Sequence, residues 1–413
     1  MPELTRRDPV RTRTFVPRRS GILHADVDYF AGRRRRHAAS PRPPLCRTLA
    51  TGPGVTRFRA SVAACGALVL LTVRAPDVGH ARENPDGLAS DPLALMTALG
   101  VMNGEDRSRL DAGSAVVAVV PARGRDLAVF GIARTEASPA RLITWTREIE
   151  QLRSGRYMRA MGRFSTPPRI EDLAALSLDD GDLKDLRACR AFQCGVKLSG
   201  AEITGIRVAA SAAGPRWKEA VQTAFRQTVL ARLEDYLQNG LVAAPPYEDR
   251  KQPVTPAAEF REIASRIGVE PFYIGPAVPY FESFPAGATA GVESVLYWSK
   301  ETLGSGKPIV SITHAAIFRN DDAPMAVAVA ERQVYASHYL TGSLAFTLVA
   351  GGPTTSPRYL VYVRRTRTDA FDGPFGRFVR GMVERRIRTD APGVLDGLRR
   401  KLEADPPSGS ASE

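Results

Sequence analysis

Two histidines, His314 and His338, are the only imidazoles after the first 81 residues of this 413-residue chain. Imidazole is the side chain best suited to acid–base work near neutrality and to binding transition metals. In Val310, Ile312, His314, Ala316 and Phe318 every second residue is apolar except the histidine, so on a strand His314 points with the buried face. A buried imidazole is either hydrogen-bonded within a core or placed in a cavity. Joined by His338 and a carboxylate from Glu293, Glu301 or Glu331, it would suit non-haem iron or zinc in an enzyme. No spacing of the His-Glu-x-x-His kind fixes the two together. Ser299, Ser311 and Ser337 are near in sequence without a Gly-x-Ser-x-Gly elbow. Gly304-Ser305-Gly306-Lys307 lacks the earlier glycine of a phosphate loop and is followed by Pro308, so it reads as a hairpin turn. No catalytic residue, metal or cofactor is assigned.

Binding chemistry is better represented than catalysis. Tyr297, Trp298, Tyr335, Tyr339, Tyr359 and Tyr362 concentrate in segments of strand character, where packing alone favours aromatics. A ligand cavity needs some of those rings to point inward beside a few polar groups. Arg364, near the end of the last strand, could hold an anionic head group if it points inward. The expected ligand-binding set is His314, His338, Tyr297, Trp298, Tyr335 and Arg364. Cys189 and Cys194 have four residues between them and are expected to close one small disulfide loop.

These residues require a particular set of elements to position them. Ala115 to Val120 and Leu127 to Ala133 flank Arg123-Gly124-Arg125 as a hairpin, and Ser138-Pro139 opens a helix bearing Leu142, Trp145, Ile149 and Leu152 on one face. Short helices follow Pro167, and Pro215 to Asn239 forms a long one stopped by Gly240. Val292 to Lys300, Pro308 to Phe318, Met325 to Leu340, Ser343 to Val349 and Tyr359 to Arg365 read as an antiparallel meander. Phe375 to Arg388 is a basic amphipathic helix, with Gly393 to Leu402 continuing it or forming a second piece. Its apolar side is expected to pack on the sheet, with peripheral contact to an anionic bilayer as a compatible extra.

A strand, helices, an antiparallel sheet and a closing helix, ending in the strand Tyr359 to Val363, Asp369, Gly373-Pro374 and an apolar-faced helix, resemble the START-like helix-grip fold. That resemblance implies an α+β domain over 82–405 with a curved antiparallel sheet closed by a long C-terminal helix, and a helical insertion at about 167–287. It also implies a cavity between sheet and helix that takes a lipid or other hydrophobic or amphipathic small molecule without chemistry. Tyr297-Trp298-Ser299-Lys300-Glu301 and Tyr335-Ala336-Ser337-His338-Tyr339 resemble phrases of uncharacterised exported bacterial proteins, a resemblance that supplies no function.

The front of the chain carries an address. Arg57 and Arg59 precede an apolar run, Ala60 to Val73, and the small-residue site Gly79-His80-Ala81, which together read as a signal peptide over 57–81. The expected location is therefore the periplasm or the medium. Residues 1–56 are Arg-rich and Pro-spotted and read as a disordered leader from an over-extended reading frame, with Val55 as the alternative start. The whole chain holds 57 basic and 44 acidic residues, but 15 arginines and only 5 acids precede Arg82, so the remainder is near neutral. No nucleic-acid partner is expected for it. An envelope-associated interaction protein is the remaining reading, and 406–413 is expected to be a disordered tail.

Overall fold

In a computed structural model, Leu93, Met96, Thr97 and residues 100–267, 276–288, 291–302, 306–319, 327–350 and 357–406 are described, all within the unit Val78–Glu413. The leader, the signal-like segment and the tail from residue 407 lie outside these residues, as does most of 92–101, where Ser90 and Pro92 predict a short helix.

Asn103 and Asp106 form a reciprocal capping box that opens α1 (Gly104–Asp111). The hairpin follows as β1 (Val116–Val120) and β2 (Asp126–Thr135). Gly124 turns it at φ 61°, a conformation open to a residue without Cβ. Ser138 accepts from the Arg141 backbone N–H to start α2 (Pro139–Arg147). The single helix expected here is two, because Glu148 at ψ 47° leaves the helical region before α3 (Ile149–Arg153). A strand absent from the sequence reading, β3 (Met158–Arg163), comes next.

Between β3 and β4, in the segment expected to be an insertion and called so below, lie α4 (Asp180–Ala188), α5 (Gly200–Ala212), α6 (Trp217–Asn239), α7 (Pro256–Ile267) and α8 (Ala277–Ser283). The meander is β4 (Glu293–Glu301), β5 (Ile309–Arg319), β6 (Val327–Ala336), β7 (Leu340–Ala350) and β8 (Arg358–Thr368). The strand expected to run on to Leu340 stops at Ala336, where Ser337 to Tyr339 turn with Tyr339 at φ 57°. A single helix, α9 (Gly376–Glu403), closes the chain and passes through Pro392 without a break.

Among the described residues eight strands form one antiparallel sheet in the order β1-β2-β8-β7-β6-β5-β4-β3. The early hairpin, distant in sequence from the meander, joins it along the whole of β2, from Asp126 opposite Arg367 to Thr135 opposite Arg358. One face of the sheet is covered by α2, α3 and α9, where Leu142, Trp145, Ile149, Leu395 and Leu402 meet Val295, Ile317, Val329 and Leu360. The other face is covered by the insertion, where Ile203, Val221, Phe225, Leu233 and Phe281 meet Phe130, Trp298, Ile312, Tyr335 and Phe346. The fold is thus α+β with a sheet between two helical layers.

One expectation about α9 is corrected. Its second half buries Leu395 and Leu402, but Phe375, Phe378 and Met382 in and beside its first turns are 73%, 66% and 50% exposed instead of packing on the sheet. The reason is local. Arg380 reaches back to the carbonyls of Gly124 (2.5 Å) and Asp126 (2.8 Å) and lies 4.3 Å over the Phe371 ring, which turns the arginine side inward.

Candidate functional site

The pleat of the sheet divides the expected site residues between its two faces. Val295, Ala315, Glu331, Ala345 and Arg364 stand opposite one another across β4 to β8, so they share the face toward α9. The adjacent row, Leu296, His314, Arg332, Leu344 and Arg365, projects toward the insertion. Tyr297 therefore joins Arg364, while Trp298 and Tyr335 join His314 in the opposite core. His338 belongs to neither row and sits in the β6–β7 turn.

His314 is a core histidine. Its Nδ1 lies 2.7 Å from the Tyr236 hydroxyl, and the rings of Tyr280, Phe281 and Phe284 meet it edge-on. Burial, aided by the charge of Arg332, pushes its pKa down to about 3, and Nε2 has no partner. Arg332 is equally enclosed, 4.1 Å over the Phe260 ring and donating to the Phe281 carbonyl at 2.7 Å; burial pushes its pKa down to about 10. Trp298 donates to the Asp172 carbonyl at 2.8 Å, and Tyr335 meets Tyr247 edge-on with Arg232 over its ring. These side chains fill space between sheet and insertion and line no opening toward α9.

The second histidine has a different setting. His338 Nε2 lies 3.0 Å from Asp182 Oδ2, and Lys307 Nζ donates to the other oxygen of that carboxylate at 3.0 Å and to Asp185. Burial opposes the charge of Asp182, but the bonds from His338 and Lys307 outweigh it and hold its pKa below the usual value. His314 stands opposite Arg332, six positions along the chain from His338. His338 follows Ser337, whose N–H donates to the carbonyl of Val310, four positions along β5 from His314, so at about 3.3 Å per residue roughly 13 Å of strand separates the two. An enzyme using both in one site is not supported by this geometry. Among the described residues no group of three or more His, Cys, Asp or Glu side chains is placed to hold a metal.

The face toward α9 carries a polar centre within an apolar surround. Tyr297 donates from its hydroxyl to Glu331 Oε1 at 2.9 Å, and Arg153 from α3 pairs with the other oxygen. Burial and the neighbouring Glu331 raise the Tyr297 pKa, so the phenol stays protonated. Arg364 donates from Nε to Ser343 Oγ at 3.0 Å, and Ser343 in turn lies 3.2 Å from Thr366 Oγ1. Burial works against the guanidinium charge, but Tyr362 and Glu301 outweigh it and raise the pKa. Among the described residues no carboxylate closes an ion pair with Arg364, which is half-buried. The space beside this centre is about 30 Å³, between Leu142, Arg153, Val329, Glu331, Thr347 and Leu398, and has room for about one water. A larger open groove of about 380 Å³ runs outside, between β1 and the Arg388–Pro392 stretch of α9.

Arg153, Ser343 and Thr366 were not among the expected site residues. The available signal was in β7, where Thr341, Ser343, Ala345 and Thr347 alternate with Leu344, Phe346 and Leu348. A polar or small stripe on one side of a strand whose both faces are buried marks a specialised face. Cys189 and Cys194 form a disulfide, and the backbone N–H groups of Phe192 and Cys194 donate to the carbonyls of Glu248 and Asp249, tying the end of α4 to the segment before α7. No protein-family model, curated protein or solved structure matches the chain.

Proposed function

We propose that this chain is an exported, non-enzymatic binding protein that takes an amphipathic small molecule with an acidic head group between its sheet and α9. The carrying observation is Arg364, a guanidinium on the inner face of the sheet with a serine as its acceptor and no carboxylate closing an ion pair among the described residues. On the same face Glu331 is two strands from Arg364 and Tyr297 four, with Arg153 of α3 over them, and they would orient polar atoms of the head group. Of the expected ligand set, Tyr297 and Arg364 remain in this reading, whereas His314, Trp298 and Tyr335 are packing residues and His338 belongs to the Asp182 cluster. The order β2, two helices, β3 to β8 and a closing helix, with β2 beside β8, supports the helix-grip reading of the layout. The disulfide supports an oxidising compartment.

A space of about 30 Å³ admits a water and not a lipid. Entry therefore requires the helices over this face to move, with Leu142, Arg153 and Leu398 bordering the space and the first half of α9 the less firmly anchored. That half is held chiefly by polar contacts, Arg380 to the hairpin carbonyls and Asp390 to Tyr157 (2.7 Å) and Arg156 (3.2 Å), while the second half is anchored by buried Leu395 and Leu402. The test is a native mass spectrum beside a denaturing one, followed by titration with a fluorescent long-chain fatty acid. We expect an added mass lost on denaturation, or uptake of the probe that Arg364→Ala weakens about 10- to 100-fold, the value of a charge-assisted hydrogen bond. No added mass together with no uptake would defeat the proposal, as would uptake indifferent to Arg364.

A further inference from the structure

The outward side of α9 is not used by the ligand reading. Eight large apolar side chains stand out as exposed among the described residues, and three of them, Phe375, Phe378 and Met382, fall within eight positions of one another. With 3.6 residues per turn they occupy an arc of about 60° on the helix surface. Arg385 borders that arc on one side and Arg386 on the other, and both are exposed. The acids of the same stretch are turned elsewhere: Glu384 pairs with Arg380 and Arg388, and Asp390 with Arg156 and Arg386. Arg377 and Arg385 have no ion-pair partner among the described residues. The surface is the outside of a helix, convex and without a recess, so it offers no shaped socket for a folded partner. Rings flanked by exposed guanidinium groups, of which Arg385 is without an ion-pair partner among the described residues and Arg386 shares Asp390, are the chemistry of a helix lying in a headgroup layer. None of the described helices is long and apolar enough to cross a bilayer.

We infer that the first half of α9 seats on an anionic lipid surface, inserting Phe375, Phe378 and Met382 among the acyl-chain ends while Arg377, Arg385 and Arg386 meet the headgroup phosphates. This inference rests on exposed residues alone and holds whether or not a ligand binds beneath the helix. All three apolar residues are exposed, so polar replacements leave the core intact.

The experiment is flotation of the full chain with vesicles of phosphatidylcholine alone or mixed with phosphatidylglycerol. The arginines of residues 1–81 also attract anionic lipid, so every comparison is made within the full chain. We expect binding to the mixed vesicles to fall at least about tenfold in Phe378→Ser/Met382→Ser. It should fall about fivefold for each of Arg385→Glu and Arg386→Glu. In a Phe378→Trp variant, emission should be quenched by brominated phosphatidylglycerol in the vesicle, a readout that the leader cannot produce. Unquenched emission, or flotation unchanged by the serine pair with circular dichroism confirming the fold, would overturn the inference. So would a chain that ignores vesicles but self-associates through this patch in sedimentation.

Discussion

At His314 the sheet buries a base with one nitrogen bonded to Tyr236 and the other without a partner. With burial and then Arg332 holding the folded-state pKa to about 3, the unfolded chain, whose imidazole titrates near 6.5, takes up the proton first as pH falls. The contribution of neutral His314 to stability is therefore complete above about pH 6.5 and is lost progressively toward the folded pKa. His314→Gln, which cannot protonate, should cost about 1–3 kcal/mol at pH 7 through the lost tyrosine contact. Between pH 6 and 4 the gap between wild type and variant should narrow by up to about 1.4 kcal/mol per pH unit. Urea unfolding at pH 7, 5 and 4 measures that gap, and a constant gap would show that the imidazole titrates normally. The sequence carried half of this result. Alternation with Ile312 and Ala316 places His314 on a buried face, but period two says nothing of which helical layer lies over that face. Two neighbours in sequence, Tyr297 and Trp298, consequently belong to different cores, and a ligand set assembled from proximity along the chain mixes the two.

At the scale of elements, the seating of α9 depends on Gly131 of β2. A Cβ placed there would come within 2.9 Å of Leu395 Cδ2, so the absent side chain is what lets the helix lie close to the strand. Gly131→Val should cost about 1–3 kcal/mol by overpacking. The loss should be read as a lowered Tm with greater protease sensitivity in the Leu395–Leu402 stretch; an unchanged Tm would mean the helix has slack to move. Most elements were legible. Strands rich in Val, Ile, Tyr and Leu, the Ser138-Pro139 start and the long helix ending at Gly240 announce themselves through local chemistry. Four, α1, β3, α5 and α8, are outside that reading. Met158–Arg163 lacks β-branched residues and is a strand because its backbone pairs with β4 at the edge of the sheet. Gly200–Ala212 begins with Ser199 and Glu202 as a capping box and has Ile203, Ile206 and Ala210 buried, a signal carried by the sequence itself.

For the molecule as a whole, the two helical layers are fastened differently. The insertion is joined to the end of β8 by a buried charge cluster in which Lys197 pairs with Asp369 and, at 3.4 Å, with Asp249. A buried pair contributes little against well-packed apolar substitutes, but removing Lys197 leaves Asp249 and Asp369 with only the largely exposed Arg250, at 3.8 and 3.4 Å. Lys197→Ala should therefore destabilise by about 3–5 kcal/mol. Denaturant unfolding would test this, and a loss below about 1 kcal/mol would mean that water reaches the two carboxylates.

The pairing of β2 with β8 also governs the order in which the molecule can be assembled. Asp126 and Arg367, opposite each other in the sheet and bonded at 2.9 Å, are 241 residues apart in sequence. During synthesis β2, α2, α3 and every helix of the insertion emerge before β8 exists. Both layers that cover the meander are thus made largely ahead of the strands they cover, with only α9 arriving after them. Bringing such distant strands together incurs its loop-closure entropy before the contacts reward it, which is the topology of a slow folder. Until β8 arrives, β2 has β1 on one side and an open edge on the other, the state in which strands of separate chains pair. A chain interrupted anywhere before Arg358 lacks the one strand that joins the hairpin to the meander, and no part of it can close the sheet.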